Sequence, residues 1–445
     1  MTIKKAARLR HSHIAKRDSP NTRLYNDQSS QYLIEVGVGT PPQKFTFGIQ
    51  YGIGSVNGTY ATDTVTVAGA AVKNQQFGLA TITKEILALP SGANSSSTLS
   101  VSGNGILGMG YPSLTAATTE NETPYNPFVF NLVQQNIIQK PIFSVYLNSA
   151  TTEGWAGEVM FGGVDSTKYE GDIQYLPVAG LTTKNGNSNG SGSGSGNVGS
   201  SDSENDSNTP GADSSYYYWM VYGQGIAVRN GIKDHDWKLK STGGFILDTG
   251  TTLTYLPLNI ATDIASSFAG EDGYKVDRQS GVILIECSAA SSNGTVELLM
   301  SRSSSQTSQN PVVLSVPASE LVIPVDGETV ETSQTCLFGI APTMTTGAGI
   351  GSNMFLIGDS FLRSAYLVFD LGQNQIGLAT SVGVGGGING VDSSKNGGGG
   401  TESSNQINYH CHCLSVSFSL TTISIITTAI IICCPCHHRY PCHYK

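Results

Sequence analysis

Alternation of apolar and polar residues is the main pattern along this chain. Apolar side chains stand at every second position of 34–38, residues 62–67 are rich in β-branched side chains, and an apolar run at 366–369 leads into a turn at 371–374. A period of two with β-branched enrichment is typical of strands that bury one face. The sequence therefore predicts an all-β protein.

Two segments carry helical periodicity instead. Residues 126–139 place their apolar side chains at helical spacing, and we expect Pro141 to end that helix. Residues 258–268 form the second predicted helix. Both are short beside the strand-rich remainder of the chain.

The length of 445 residues is enough for two lobes, each with its own core. We predict an N-terminal lobe over 31–180 and a C-terminal lobe over 218–382. Between them, 181–217 is a low-complexity run of Gly, Ser, Asn and Asp that cannot bury apolar surface. It is interpreted as a disordered surface insertion, and a processing loop that is cut to give two chains is the alternative.

The composition favours an extracellular location and argues against a nucleic-acid partner. Charged side chains make up 13% of the chain, against about 25% in ordinary proteins, and there are 53 glycines. This favours an extracellular protein rich in strands and turns. The net charge of −9 argues against a nucleic-acid partner and is compatible with work at acidic pH.

One tripeptide suggests catalytic chemistry. A buried apolar strand at 245–247 runs directly into Asp-Thr-Gly at 248–250, which is followed by Thr251 and Thr252. Such a sequence delivers a carboxylate to a sharp turn, because Gly permits the turn and the hydroxyls can hold the acid. A lone Asp-Thr-Gly also arises by chance in large proteins, so its surroundings decide the interpretation.

Further motifs occur around it in a specific order. They are Tyr-Leu-Ile-Glu-Val-Gly-Val-Gly-Thr-Pro-Pro-Gln at 32–43, Tyr-Gly-Ile-Gly-Ser at 51–55, Gly-Ile-Leu-Gly-Met-Gly at 105–110, Leu-Ile-Gly-Asp-Ser-Phe-Leu-Arg at 356–363 and Gln-Asn-Gln-Ile-Gly-Leu-Ala at 373–379. Over about 31–382 the chain resembles the pepsin-like aspartic proteases, most of all fungal secreted and yapsin-like members. The resemblance implies a bilobal, all-β pepsin-like fold and an endopeptidase.

The resemblance breaks after the strand at 45–47. Members of the family continue there with a first Asp-Thr-Gly and then a few tens of residues before the flap, whereas here Phe47 is followed at once by Gly48. Asp63 is no substitute, because its motif lacks the Gly and lies beyond the flap. We interpret the join as a deletion that truncates the N-terminal lobe and removes central strands of its sheet. A mis-predicted or skipped exon explains it more simply than an evolved feature.

By resemblance, Asp248 is the one catalytic aspartate of this chain and half of an acid/base dyad. Thr249, Gly250 and Thr251 are its supports: Thr251 is expected to hydrogen-bond the carboxylate, and Thr249 has lost its counterpart in the opposite lobe. Asp359 is interpreted as a structural turn residue.

The flap is assigned to Tyr51, Gly52 and Gly54. Tyr51 is expected to close over substrate, and the two glycines let the hairpin tip bend. An ordinary strand aromatic is the alternative for Tyr51.

The chemistry depends on two carboxylates that share one proton, so that the pair deprotonates a water while donating to the scissile carbonyl. The resemblance implies hydrolysis of polypeptides at acidic pH. Because this chain has one Asp-Thr-Gly, we expect it to show little or no proteolytic activity. A homodimer that pairs two Asp248 carboxylates would be obstructed by the residual N-terminal lobe. A non-catalytic peptide-binding protein and a surface glycoprotein stay as alternatives. No cofactor is implied.

The eight cysteines fall into two groups. Cys287 and Cys336 stand where the family has a disulfide in its second lobe, and a secreted setting would permit that bond. The other six lie at 411–442 beside five histidines. Zinc binding is one hypothesis, but the spacing matches no ordered finger, and palmitoylation, random bridging or translated non-coding sequence are others. We predict no metal site.

The C-terminal end suggests attachment to a surface. A Gly- and Ser-rich spacer at 383–412 leads into a hydrophobic, Cys-rich tail at 413–445, in which 413–434 holds no charge. This stretch is long enough to span a bilayer as a helix, with Arg439 and Lys445 on the cytoplasmic side. A glycolipid-anchor signal and a shifted reading frame are the alternatives.

Residues 1–30 resemble the last part of an activation propeptide, with a dibasic processing site at Lys16 and Arg17. A mitochondrial presequence is the alternative on charge alone. Six glycosylation sequons favour the secretory route instead, at Asn57, Asn94, Asn121, Asn189, Asn205 and Asn293. We expect a monomer outside the cell or at its surface.

Overall fold

The computed structural model describes residues 19–27, 31–39, 45–51, 54–84, 105–116, 123–152, 154–182, 197–198, 216–278, 280–303, 308–343, 353–389, 419–424 and 430–433. Strands dominate these residues, and the few helices are short. The prediction of an all-β protein is therefore confirmed.

The strands and helices follow in chain order. Those of the first half are β1 (Asn21–Asp27), β2 (Gln31–Val38), β3 (Phe45–Tyr51), β4 (Gly54–Val67), β5 (Ala70–Lys84), β6 (Gly105–Gly108), α1 (Phe128–Gln134), β7 (Ile142–Tyr146), β8 (Gly154–Phe161), β9 (Tyr169–Pro177), β10 (Leu181–Thr182) and β11 (Asn197–Val198). The next are β12 (Met220–Arg229), β13 (His235–Leu247), β14 (Thr254–Leu256), α2 (Leu258–Ala269), β15 (Tyr274–Val276), β16 (Ile283–Ile285), β17 (Thr295–Met300), β18 (Val312–Pro317), α3 (Ala318–Leu321), β19 (Val322–Pro324), β20 (Cys336–Phe338), β21 (Ile340–Pro342), β22 (Met354–Ile357), α4 (Asp359–Leu362), β23 (Ala365–Asp370), β24 (Gln375–Ser381) and β25 (Gly387–Ile388). The tail adds β26 (Ser419–Ser424) and β27 (Ile430–Cys433). Two 3₁₀ turns lie at Pro112–Ala116 and Cys287–Ser291.

Two large sheets carry the architecture. The first has the order β3-β4-β5-β27-β6-β26-β2-β1-β8-β7-β23-β24-β9, with an additional pairing of β4 and β2. The second has the order β21-β14-β22-β13-β12-β17-β18-β25 and is built entirely from residues after 219. Because β23 and β24 belong to the first sheet, the end of the C-terminal lobe is hydrogen-bonded to the N-terminal half of the chain.

Some element bounds differ from the sequence-based expectation. The first sheet begins at Asn21, inside the predicted propeptide remnant, because β1 pairs with both β2 and β8. At the other end, β25 lies in the predicted spacer and pairs with β18. The described part of the tail is strand, whereas the sequence suggested a helix there. No helix in the described ranges is long and apolar enough to cross a membrane.

The first predicted helix is shorter than expected and ends for a different reason. Instead of 126–139 it spans Phe128–Gln134. Asn136 has a φ of 53°, in the left-handed region, which ends the helix before Pro141 is reached. The second helix, Leu258–Ala269, agrees with its prediction and buries its apolar face.

An aromatic cluster joins the two halves of the chain next to the end of β13. The Trp219 ring is fully buried, and its centroid lies 4.5 Å from that of Tyr111 and 5.2 Å from that of Phe369. The Trp219 indole N–H donates to the Met109 carbonyl oxygen at 2.9 Å, and the Trp219 carbonyl oxygen accepts from the Leu247 amide at 3.0 Å. The strand that ends at Leu247 is therefore fixed to a core shared by both halves.

The predicted disulfide is present. Cys287 and Cys336 are bonded, with a sequence separation of 49 residues. Replacing both by Ser is expected to lower the free energy of unfolding by about 2–4 kcal/mol, because a loop of this size gains freedom mainly in the unfolded chain. Urea unfolding with and without a reducing agent measures this. The double variant should match the reduced native chain, and an unchanged midpoint would contradict the prediction.

Candidate active site

Asp248 stands at the end of a central strand of the second sheet. β13 pairs antiparallel with β12 on one side and parallel with β22 on the other, in the register Gly244↔Met354 to Leu247↔Ile357. Its last residues are almost completely buried, as the apolar run in the sequence predicted. The Asp248 amide donates to the Ile357 carbonyl oxygen at 2.9 Å, so the turn begins where the ladder ends.

The turn holds the Asp248 carboxylate by both of its oxygens. The Gly250 amide donates to Oδ1 at 3.1 Å, and the Thr251 hydroxyl donates to Oδ2 at 2.6 Å. The side chain is 3% exposed. Hydrogen bonds to a carboxylate are stronger than those between neutral groups, so this arrangement fixes the direction in which the acid points.

Thr249 lies in the same turn but makes no comparable contact. Its side chain is 1% exposed, and its hydroxyl oxygen has no hydrogen-bond partner among the residues that the structure describes. Leaving a buried hydroxyl unsatisfied costs about 1–3 kcal/mol. The loss of a counterpart for Thr249 in the opposite lobe stays a prediction.

A second turn, at 358–360, packs directly against the first. The Asp359 amide donates to the Thr251 carbonyl oxygen at 2.7 Å, and the Ser360 amide donates to the Thr252 carbonyl oxygen at 3.0 Å. The two turns therefore hold one another, which explains why the Asp-Thr-Gly motif and the motif at 356–363 occur together.

Gly358 is required by the closeness of the two turns. A Cβ atom there would lie 2.3 Å from the Leu253 carbonyl oxygen and 2.4 Å from the Thr251 carbonyl oxygen. Backbone atoms cannot move aside as a side chain can, so Gly358→Ala is expected to lower the free energy of unfolding by about 3 kcal/mol. Gly37→Ala is the matched control, because its nearest atoms lie 3.7 Å away. Urea unfolding compares the two, and equal losses would refute the steric argument.

Buried charges lie behind the two turns. Asp359 is 1% exposed and Arg363 is fully buried. Burial raises the pKa of Asp359 well above its ordinary value, the Arg363 guanidinium opposes that shift, and the nearby Asp248 adds to it. Arg363 Nε donates to the Tyr32 hydroxyl at 3.1 Å, and that hydroxyl donates to the Asn148 carbonyl oxygen at 2.8 Å. The network connects the turn at 358–360, which packs against the Asp248 turn, with the first sheet.

Sequence reasoning did not identify the role of Arg363. A signal was present, because Arg363 and Asp359 are the only charged residues in the run at 355–369, which is otherwise mainly apolar and hydroxyl-bearing. An arginine in a segment predicted to be buried has to find partners there. Asp359 is close in sequence, but Tyr32, to which the Arg363 guanidinium donates, lies 331 residues away along the chain.

The predicted flap is a β-hairpin in its backbone. β3 and β4 pair antiparallel from Phe45↔Tyr60 to Tyr51↔Gly54, which leaves a loop of two residues. Gly52 lies outside the described residues. Closure of Tyr51 over a substrate stays a prediction. Asp63 lies inside β4, as expected for the strand that follows the flap, and its Oδ1 accepts from the Thr64 amide at 2.7 Å.

The part of the chain that the structure describes holds no group of three or more His, Cys, Asp or Glu that could bind a metal ion. The His- and Cys-rich ends of the tail lie outside the described residues, apart from Cys433.

Comparison with known proteins places these features in a family. The family model for eukaryotic aspartyl proteases matches residues 45–381. Mucorpepsin from Rhizomucor miehei is 29% identical over 340 residues, which is 75% of this chain and 64% of that protein. Secreted aspartic protease 3 from Candida albicans is 30% identical over 337 residues, which is 75% of this chain and 62% of that protein. The matched part thus spans less than two thirds of these relatives.

The fold is also that of a solved structure. The aspartic proteinase from Irpex lacteus superposes with a TM-score of 0.55 at 21% sequence identity, over 82% of this chain and 97% of that one. The prediction of a pepsin-like all-β fold is confirmed. The chain belongs to the eukaryotic aspartyl protease family.

Proposed function

We propose that this protein derives from an aspartic-type endopeptidase that hydrolyses polypeptides at acidic pH, with Asp248 as one half of its catalytic dyad. The observation that carries the proposal is the hydrogen bonding of Asp248, whose two carboxylate oxygens accept from the Gly250 amide and the Thr251 hydroxyl. A carboxylate held in one direction and almost buried is suited to proton transfer at a fixed point.

We infer that the second half of the dyad is missing, because the sequence contains one Asp-Thr-Gly. Hydrolysis needs one group that removes a proton from water while another donates a proton to the scissile carbonyl oxygen. One carboxyl group performs either task but not both in the same step. We therefore propose that the chain as written has little or no activity.

Asp359 does not fill the missing role in this proposal. Asp359 follows β22 as Asp248 follows β13, and both lie in the same pair of turns, whereas the dyad needs a carboxylate from the opposite lobe. Its burial and the bond from its amide to the Thr251 carbonyl oxygen support a structural function.

The proposed setting is the secretory route, with the chain as a monomer. The bond between Cys287 and Cys336 supports an oxidising compartment, as do the six sequons and the low content of charged residues. Two of the compared relatives, mucorpepsin and a secreted aspartic protease, are fungal.

The test compares the full chain with Asp248→Asn on an unfolded protein substrate near pH 4. Both are expected to stay at the level of a buffer blank, because neither holds two catalytic carboxylates. Asp248→Asn is the matched control for contaminating proteases. Turnover that Asp248→Asn abolishes and pepstatin blocks would overturn the one-aspartate proposal. Tight binding of peptides without turnover would favour the peptide-binding alternative.

A further inference from the structure

Two strands from the C-terminal tail lie within the first sheet. β26 pairs antiparallel with β2, from Leu33↔Thr422 to Val36↔Ser419, and parallel with β6, from Thr422↔Ile106 to Ser424↔Gly108. β27 pairs antiparallel with β6 and parallel with β5, in the latter case from Ile431↔Gly78 to Cys433↔Ala80. Each tail strand therefore has a neighbour on both sides.

β6 depends on these two strands. Among the described residues, its partners in the sheet are β26 on one side and β27 on the other. All four residues of β6 are buried. Without the tail, the backbone hydrogen-bonding groups of a buried strand would lose their partners on both edges, which is costly in the interior of a protein.

The position of the tail strands coincides with a gap expected from the sequence. The join at Phe47 and Gly48 removes a segment that should supply central strands to the N-terminal lobe. β26 and β27 are central strands, flanked by β2, β6 and β5. We propose that the C-terminal tail completes the N-terminal lobe by strand complementation, with β26 and β27 in place of the missing segment.

The composition of β26 and β27 and the lengths of the segments that connect them are compatible with strand complementation. β26 and β27 contain mainly Thr and Ile, which favour strands. The 30 residues between Ile388 and Ser419 extend to about 100 Å, and the five residues between Ser424 and Ile430 cross the width of β6, about 10 Å, with ease.

This assignment excludes a membrane role for the same residues. A segment whose backbone amides and carbonyls pair with β2, β5 and β6 cannot cross a bilayer as a helix at the same time. The membrane or cell-wall attachment predicted from the sequence is thus the competing outcome.

The first test is a disulfide across β2 and β26 in the full chain. Glu35 is exposed and stands opposite Leu420. With the six tail cysteines changed to Ser, Glu35→Cys with Leu420→Cys is expected to form an intramolecular disulfide on mild oxidation. The control, Glu35→Cys with Thr421→Cys, is one residue out of register and places the two side chains on opposite faces. Its yield should be at least about tenfold lower, because disulfides need a close Cβ pair.

Equal yields in the two variants, or no disulfide in either, would overturn the proposal. A disulfide between two chains would overturn it as well, because the tail would then complete a second copy.

The second test removes the tail. In a chain that ends at residue 404, amide exchange at 105–108 is expected to accelerate at least about 100-fold, whereas exchange in β12 should stay slow. β12 belongs to the second sheet and serves as the internal control for folding. Unchanged protection of β6 would refute the complementation. Loss of protection in both strands would do so too, because the tail would then support the whole fold rather than one lobe.

Discussion

Inserting an Asp-Thr-Gly segment between Phe47 and Gly48 of a chain that ends at residue 404 is expected to give an acidic endopeptidase. The tail is left out because β26 and β27 would otherwise occupy the place of the inserted strands. The inserted piece would be the stretch of mucorpepsin that follows the strand matching 45–47. It would supply the second carboxylate opposite Asp248 and a cross-lobe partner for the Thr249 hydroxyl. Because members of a catalytic group act as a unit, we expect activity on unfolded protein near pH 4 to rise by about 10⁴-fold or more.

Two variants of the repaired chain serve as controls. Changing the inserted Asp to Asn, or Asp248→Asn, should each return activity to the blank, since either change leaves one carboxyl group. Circular dichroism would establish that all three chains are folded. Activity that survives Asp248→Asn would exclude Asp248 from the dyad and with it the proposed function.

Arg363→Met is expected to destabilise the protein more than any other single change proposed for the second lobe. The guanidinium is fully buried, lowers the pKa of Asp359 and donates to Tyr32. Met fills much of the volume but leaves a buried carboxyl group beside the Asp248 carboxylate without its counter-charge. Breaking a buried charge pair in this way costs about 3–5 kcal/mol near pH 7, which urea unfolding measures.

The pH dependence of that loss has a definite sign. Burial raises the pKa of folded Asp359, so the neutral acid is stabilised by folding and its contribution is lost as the pH rises through the folded pKa. The Arg363 guanidinium stabilises the charged form of Asp359. This stabilisation decreases as the pH falls, because Asp359 then becomes neutral. The cost of Arg363→Met should therefore be smaller at pH 4 than at pH 7.

A double variant provides the control. Arg363→Met with Asp359→Asn should be more stable at pH 7 than Arg363→Met alone, because a neutral amide needs no counter-charge. Equal losses at both pH values, without rescue in the double variant, would show that Arg363 acts only through packing.

Local patterns were sufficient for the turn that carries Asp248. An apolar run before Asp-Thr-Gly and a hydroxyl after it specify a buried strand, a sharp turn and a held carboxylate, and all of these depend on residues close in sequence. α2 was predictable for the same reason. The end of α1 was not predictable from the sequence. The helix ends before Asn136, which has a left-handed backbone conformation, and not at Pro141 as the pattern indicated.

Features that depend on contacts between residues far apart in the chain were not predicted from the sequence. β1 was assigned to a propeptide because its charge and position suggested one, while its pairing with β8 is invisible in the local pattern. The Arg363 guanidinium donates to Tyr32, which is 331 residues away. The tail was interpreted from its hydropathy, its charges and the spacer before it, and an apolar segment rich in Ile and Thr is compatible with both a membrane helix and a buried strand.

The pairing of β2 with β26 has a consequence for the order in which the chain acquires its structure. Residue 33 must wait for residue 422 to be synthesised, which takes about 20–80 s at ordinary translation rates. During that time the second sheet, whose strands all lie between residues 220 and 388, can form on the ribosome while the N-terminal half still lacks two strands. The N-terminal half is therefore synthesised first but completed last, and β2 and β6 stay without these partners for longer than any strand of the second sheet.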